Sequence, residues 1–155
     1  MENTKNDTKD RELCLSRTLD APVALVWEMF TDPKHVANWW GPNGFTNTIH
    51  KMEVRPGGEW SLVMHGPDGR NYDNQSFFTE IVPYQKIAFK HVSHPPIVFT
   101  ITFEDRGDKT LLNWHMLFES AEEFIKAVKA FGADEGLKQN IEKLTLYLAK
   151  QGVKG

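Results

Sequence analysis

From residue 46 to residue 118 the chain is cut into short runs of alternating apolar and polar residues by three turn sequences. These are Pro56-Gly57-Gly58, Gly66-Pro67-Asp68-Gly69 and Arg106-Gly107-Asp108-Lys109. Runs of this length, punctuated this closely, join as neighbouring antiparallel strands. The pattern predicts strands over 48–55, 59–65, 71–82, 86–92, 97–105 and 110–118. A seventh precedes them: Leu13, Leu15 and Leu19 share one parity, Glu12, Ser16 and Thr18 the other, and Cys14 falls on the outer face. Such a sheet has one apolar face that must be covered. The C-terminal segment supplies the cover, because Leu137, Ile141, Leu144 and Leu148 recur at 4-3-4 spacing with Lys138, Glu142 and Lys143 on the other side. Sheet and helix must bury these surfaces against each other, which predicts an α+β domain with a curved seven-stranded antiparallel sheet wrapped around a long C-terminal helix.

Two short helices are predicted after the first strand. Asp20-Ala21-Pro22 offers a capping carboxylate and a first-turn proline, and Val23, Val26, Trp27 and Phe30 follow at helical spacing. Asp32-Pro33 ends that helix and opens another through Trp39, after which Gly41-Pro42 and Asn43-Gly44 break the chain. Near the other end, Ser120 and Glu123 form a capping box for a segment with Phe124, Val128 and Phe131, interrupted by Gly132. Residues 1–10 are polar with no apolar anchor and are expected to be a disordered lead-in, leaving 11–151 as a single domain.

The chain has 155 residues, enough for one core. A formal net charge of -3 carries no electrostatic footprint for nucleic acid, which needs clustered Lys and Arg. Cys14 is the only cysteine, so no internal disulfide forms, and no apolar run reaches the roughly 18 residues of a membrane span. The first residues show no signal-peptide pattern, so a cytoplasmic location is expected. Five Trp and ten Phe are a large aromatic supply for this length and ask for an explanation.

The order of elements is that of the helix-grip fold, shared by START-like lipid-transfer domains, the birch-pollen-allergen family and polyketide cyclases. Five ordered blocks narrow the resemblance. They are RTLDAPVALVWEMFTDPKHVANWWGP, MEVRPGGEWSLVMHGPDG, FTEIVP, FTITFED, and HMLFESAEE with FGADEGLKQNIEKLTLYL. Together they resemble the family named after the activator of the 90-kDa heat-shock protein's ATPase, within the START-like (SRPBCC) superfamily. The resemblance is to the stand-alone form of that domain, without the separate N-terminal module of eukaryotic co-chaperones. It implies a cavity between sheet and C-terminal helix that takes a small hydrophobic molecule: a lipid, an aromatic or a polyketide-like metabolite. A second reading places cyclase or dehydratase chemistry in that cavity. A third gives the chain a heat-shock chaperone as partner in a stress response.

Strand parity predicts the lining: Met52 and Val54; Trp60, Leu62 and Met64; Phe99, Ile101 and Phe103; Leu112, Trp114, Met116 and Phe118. Leu137, Ile141 and Leu144 come from the helix, and Trp27 and Phe30 from the first short one. Thioether and aromatic side chains adapt well to irregular apolar ligands, although close packing is the default role for any one of them. Trp39-Trp40-Gly41-Pro42 is a candidate gate, with structural packing the alternative. His50 shares the parity of Met52 and is predicted to face inward, first as a core histidine hydrogen-bonded to a neighbouring strand, with a ligand anchor or the general base of the cyclase reading as the functional alternatives. Asn74 and Arg17 are further candidate anchors. The His91-x-x-His94 pair lacks the further ligands of a closed zinc site, so both are predicted to be turn residues bordering the pocket, and no metal or cofactor is expected. No G-x-S-x-G, P-loop or Rossmann glycine pattern occurs, so nothing requires catalysis. A monomer or weak dimer is expected.

Overall fold

Seven strands are predicted by the alternation, and seven form. The computed structural model of the chain describes residues 10–93 and 96–153. The lead-in, apart from Asp10, and His94 with Pro95 lie outside the described residues. Strand β1 (Glu12–Leu19) is followed by helices α1 (Val23–Thr31) and α2 (Pro33–Trp39). Then come β2 (Thr46–Met52), β3 (Glu59–His65), β4 (Asn71–Val82), β5 (Lys86–His91), β6 (Ile97–Asp105) and β7 (Thr110–Phe118). Helices α3 (Ala121–Phe131) and α4 (Ala133–Val153) close the chain. All strand pairs are antiparallel, and the sheet order β1-β7-β6-β5-β4-β3-β2 leaves β1 and β2 as its edges.

The inner face follows the pleat. Along β7, Thr110, Leu112, Trp114, Met116 and Phe118 are buried while the residues between them are half-buried. Against this face α4 lays Leu137, Ile141, Leu144 and Leu148, all in one buried cluster with the strands. Each such side chain contributes roughly 1.5–3 kcal/mol by leaving water. Gly132, at φ 62, occupies the left-handed conformation that ends α3, its N–H bonding back to Ala127 and Val128, and α4 restarts at the next residue.

Local chemistry agrees with the sequence at two of three helix starts. Asp32 caps α2, its side chain accepting from the Lys34 N–H at 2.9 Å, and Ser120 caps α3 by accepting from the Glu123 N–H at 3.1 Å. The cap expected of Asp20 does not form. Pro22 is the N-cap of α1 with no side-chain bond, and Asp20 instead meets Lys109 Nζ at 3.0 Å. Asp20 lies two positions before the cap residue, and its carboxylate turns to the β6–β7 turn instead of the first-turn N–H groups.

Two strands depart from strict alternation: β4 shifts register between Phe78 and Glu80, and β2 does so where it bears on the site. In β2, Ile49 pairs with Leu62 and Lys51 with Ser61, so His50 is an extra residue, a β-bulge. The bulge resets the parity of β2, and inward-facing positions pass from Ile49 to Met52 across it.

Candidate functional site

The interior is solid at one end and hollow at the other. At the solid end, Phe30 packs edge-on against Trp39 (ring centres 4.8 Å apart) and Phe103 (5.1 Å). Ile101, Ile141 and Leu144 are fully buried there, with Leu19, Val26 and Val36. At the other end, beneath the N-terminal half of α4, a cavity of about 260 Å³ opens. Small residues of α4 make the room: Ala133 and Gly136 line it, and Leu137 reaches in from the next turn.

The floor is aromatic and thioether. Trp60, Leu62 and Met64 of β3 line the cavity with Phe99 of β6 and Trp114 and Met116 of β7, as strand parity predicts. Trp40 forms a side wall, stacked on Trp114 at 5.5 Å and edge-on to Trp60 at 4.8 Å. The indole N–H groups of Trp60 and Trp114 are buried without a hydrogen-bond partner among the described residues, and both rings are held by other rings instead. Ile101, Ile141 and Leu144 point inward as predicted but belong to the solid end, as do Phe30 and Trp39. Trp27 packs on Phe103 and Tyr84, and Met52 lies half-buried at the edge of the core; neither lines the cavity.

The expectation that His50 faces the cavity is overturned. It is exposed, because the bulge that carries it turns its side chain out of the inward register. Arg17 has the inward parity of Leu15 and Leu19 but does not line the cavity: it is half-buried on the edge strand and pairs with Glu142 of α4 at 3.2 Å. The polar groups of the wall come from elsewhere. Asn74 and Ser76 of β4 and His91 of β5 all line the cavity, and strand register brings them together: Ser76 pairs with His91 and, on its other side, with Trp60. His91 is thus a strand residue rather than the turn residue expected. Asn74 Nδ2 donates to the Tyr72 carbonyl at 3.1 Å, which leaves Oδ1 facing His91 Nε2 at 2.6 Å. An amide oxygen only accepts, so His91 Nε2 carries a proton. Among the described lining residues there is no Asp, Glu, Lys or Arg.

Sequence reasoning also missed Asn140, the buried side chain that fixes the wall of the cavity. Its Oδ1 accepts from Gly41 N–H at 3.1 Å and its Nδ2 donates to Trp39 C=O at 2.9 Å. Two further α4 side chains hold the same loop. Gln139 Oε1 accepts from Asn43 N–H, and Lys143 Nζ donates to the carbonyls of Pro42 and Phe45, each at 3.2 Å. Burial pushes the Lys143 amine below its usual range. Gly41, at φ 94, holds a left-handed conformation in which any other residue is strained, and a Cβ there would also have to displace the end of the Met64 side chain, 2.8 Å away. The Trp39–Pro42 stretch is therefore clamped to α4, and Trp39 itself is fully buried with its Nε1 donating to Met29 C=O at 3.0 Å.

The family model described as Activator of Hsp90 ATPase homolog 1-like protein matches residues 20–149. The chain belongs to this family. No curated protein matches the chain, whereas many solved structures resemble it. A protein from Arthrobacter aurescens is 25% identical with a TM-score of 0.85, covering 93% of this chain and 89% of its own. A protein from Nitrosomonas europaea is 22% identical (TM-score 0.82; 94% and 98% covered). A Silicibacter pomeroyi protein whose description carries the family's name is 19% identical (TM-score 0.73; 90% and 99% covered). These likenesses establish the helix-grip fold for the Hsp90-ATPase-activator-like chain. Folds of this type commonly bind hydrophobic ligands. Among the described residues no helix is long and apolar enough to cross a membrane.

Proposed function

We propose that the chain binds a small, uncharged, largely apolar molecule bearing one hydrogen-bonding group, and that a substituted one- or two-ring aromatic fits best. The observation that carries this reading is the composition of the 260 Å³ cavity: aromatic and thioether walls, no charged side chain among the described lining residues, and one polar corner of Asn74, Ser76 and His91. Size sets the ligand class. A dry apolar cavity of about 150 Å³ holds benzene, and drug-sized ligands occupy about 300–1,000 Å³, so this space suits something between the two. Charge sets its polarity, since an unpaired carboxylate buried here would lose several kcal/mol of solvation with no cation to offset it. A hydroxyl or carbonyl placed at the Asn74–Ser76–His91 corner exchanges water for protein partners and contributes roughly 0.5–1.5 kcal/mol. With His50 on the exposed face, the general base expected of it has no cavity to act in.

Three probes of one shape test the reading: 2-naphthol, 2-methylnaphthalene and naphthalene-2-carboxylate, each titrated by methyl NMR of the methionines and leucines. The expected order is naphthol, then methylnaphthalene, then carboxylate. The hydroxyl should gain about 2- to 10-fold and the carboxylate lose at least about 100-fold. Met64, Met116, Leu62 and Leu137 should shift together. Shifts confined to surface residues would overturn the site, and a carboxylate that binds as well as naphthol would overturn the ligand class.

A further inference from the structure

On the outer face of the sheet, opposite the cavity, three different metal-binding groups converge. Glu12 and Cys14 stand two residues apart on β1 and so share a face. His115 of β7 is the cross-strand partner of Cys14. His115 Nε2 lies 2.6 Å from Glu12 Oε1, Cys14 Sγ lies 3.9 Å from the same oxygen, and the three ligand atoms all fall within 4.8 Å of one another. Cys14 is exposed, and the side chains of His115 and Glu12 are 34% and 22% exposed, so an aqueous ion reaches them without opening the fold.

We propose that Glu12, Cys14 and His115 bind a divalent transition metal of the zinc class, with water completing a four-coordinate set. The donor set decides the metal: a thiolate, an imidazole and one carboxylate suit Zn²⁺ or Co²⁺, whereas Mg²⁺ and Ca²⁺ seek shells of oxygen. The spacing is close to what such an ion needs. In a tetrahedral zinc site nitrogen and oxygen ligands stand about 3.3 Å apart and sulfur and oxygen about 3.5 Å. Glu12 and His115 would separate by about 0.7 Å and Cys14 would move in by about 0.4 Å, which side-chain rotation supplies. The backbone positions are already fixed by strand pairing. Two protons must be accounted for. The Nε2–H that His115 turns toward Glu12 shifts to Nδ1 by tautomer exchange through solvent, or is released if the ring carries both protons, so that Nε2 is free to bind the metal. The Cys14 thiol gives its proton to solvent as the S–metal bond forms, and no electron moves.

A second group, Glu28, Asp32 and His35, is comparably close but offers no sulfur. There Asp32 is committed to capping α2, and His35 Nδ1 is bonded to the Tyr147 hydroxyl at 2.7 Å. It provides an internal control. An ion at the first site would tie the edge strand β1 to β7, so loading should raise the unfolding temperature by mass action.

Co²⁺ titrated into the intact protein provides the test. A near-ultraviolet thiolate-to-cobalt band should rise with visible bands of four-coordinate intensity, saturate at one equivalent, and be displaced by Zn²⁺ but not by Mg²⁺. Cys14→Ser should abolish the thiolate band, and Cys14→Ser, Glu12→Gln and His115→Gln should each weaken Zn²⁺ binding at least about 10-fold. His35→Gln should change nothing. Cys14 is exposed, so its serine variant should fold normally, and near-ultraviolet circular dichroism of each variant confirms it. The proposal is overturned if the unmodified protein shows no thiolate band, or if Zn²⁺ affinity survives in folded Cys14→Ser and His115→Gln.

Discussion

Replacing Asn140 by leucine separates a fixed cavity wall from a moving gate. Leucine keeps the heavy-atom branching of asparagine but carries no polar atom, so both hydrogen bonds of the amide are lost, and its bulkier methyl groups can only add to that loss. Asn140 is buried, and its amide is the partner given above for both Gly41 N–H and Trp39 C=O. Removing it orphans two buried backbone groups at about 1–3 kcal/mol each, or about 4 kcal/mol in the middle of the range. That is a large part of the roughly 5–15 kcal/mol that holds a typical domain folded. At about 2–4 °C per kcal/mol for a domain of this size, the unfolding temperature should fall by about 8–16 °C. Urea unfolding should show a lower midpoint with an unchanged slope, because the surface exposed on unfolding is the same. Naphthol affinity should fall too, since Trp40, Gly41 and Pro42 form one side of the cavity. A loss below about 1 kcal/mol, together with faster naphthol exchange, would mean that the orphaned groups find water easily. That outcome would falsify the fixed wall and restore the gate.

Two further substitutions probe the same clamp from either side. Trp39→Ala should destabilise by about 3–5 kcal/mol, as for a buried core indole; an unchanged unfolding temperature with lost naphthol binding would instead assign Trp39 to the ligand. Lys143 carries a pH signature. Its folded-state pKa is depressed below the ordinary 10.5, mainly by burial, so the lysine-dependent part of the stability is greatest above that ordinary value and is lost as pH falls through the folded pKa. Lys143→Met should flatten this alkaline rise in urea midpoints, and a rise of equal size in the variant would refute the assignment.

Most of the frame was legible because strand parity and turn chemistry are local. The strands predicted over 59–65, 71–82, 97–105 and 110–118 have those bounds in the structure, and Cys14 faces outward as its parity requires. Parity fails where the backbone gains a residue. Nothing in Ile49-His50-Lys51 announces the bulge that sends His50 to solvent, and β2 ends at Met52 rather than at the expected Arg55. Parity also says which side chains face inward but not how far along the axis they sit. Phe99 and Ile101 are two residues apart on one face of β6, yet the first lines the cavity and the second is fully buried in the packed core. A hollow arises from what neighbours leave unfilled, here opposite Gly136 and Ala133 on a helix far away in the chain. Asn140 was missed for a related reason, and His91, expected at the pocket border, was expected in a turn rather than a strand: each acquires its role from a partner on another element, Asn74 and the Gly41 backbone, at separations the sequence does not order.

The crowding of Trp39, Trp40, Trp60 and Trp114 has an optical consequence. Successive ring centres lie 4.8–6.2 Å apart at tilts from 23° to 83°. At such spacing the electronic transitions of the indoles mix, and excitation passes among them faster than it is emitted. The four rings should therefore contribute a coupled near-ultraviolet dichroism, whereas Trp27 packs on Tyr84 and Phe103 instead. A molecule entering the hollow touches three of the four coupled rings. The protein thus contains a built-in antenna whose dichroism reports the filling of its interior without an added label.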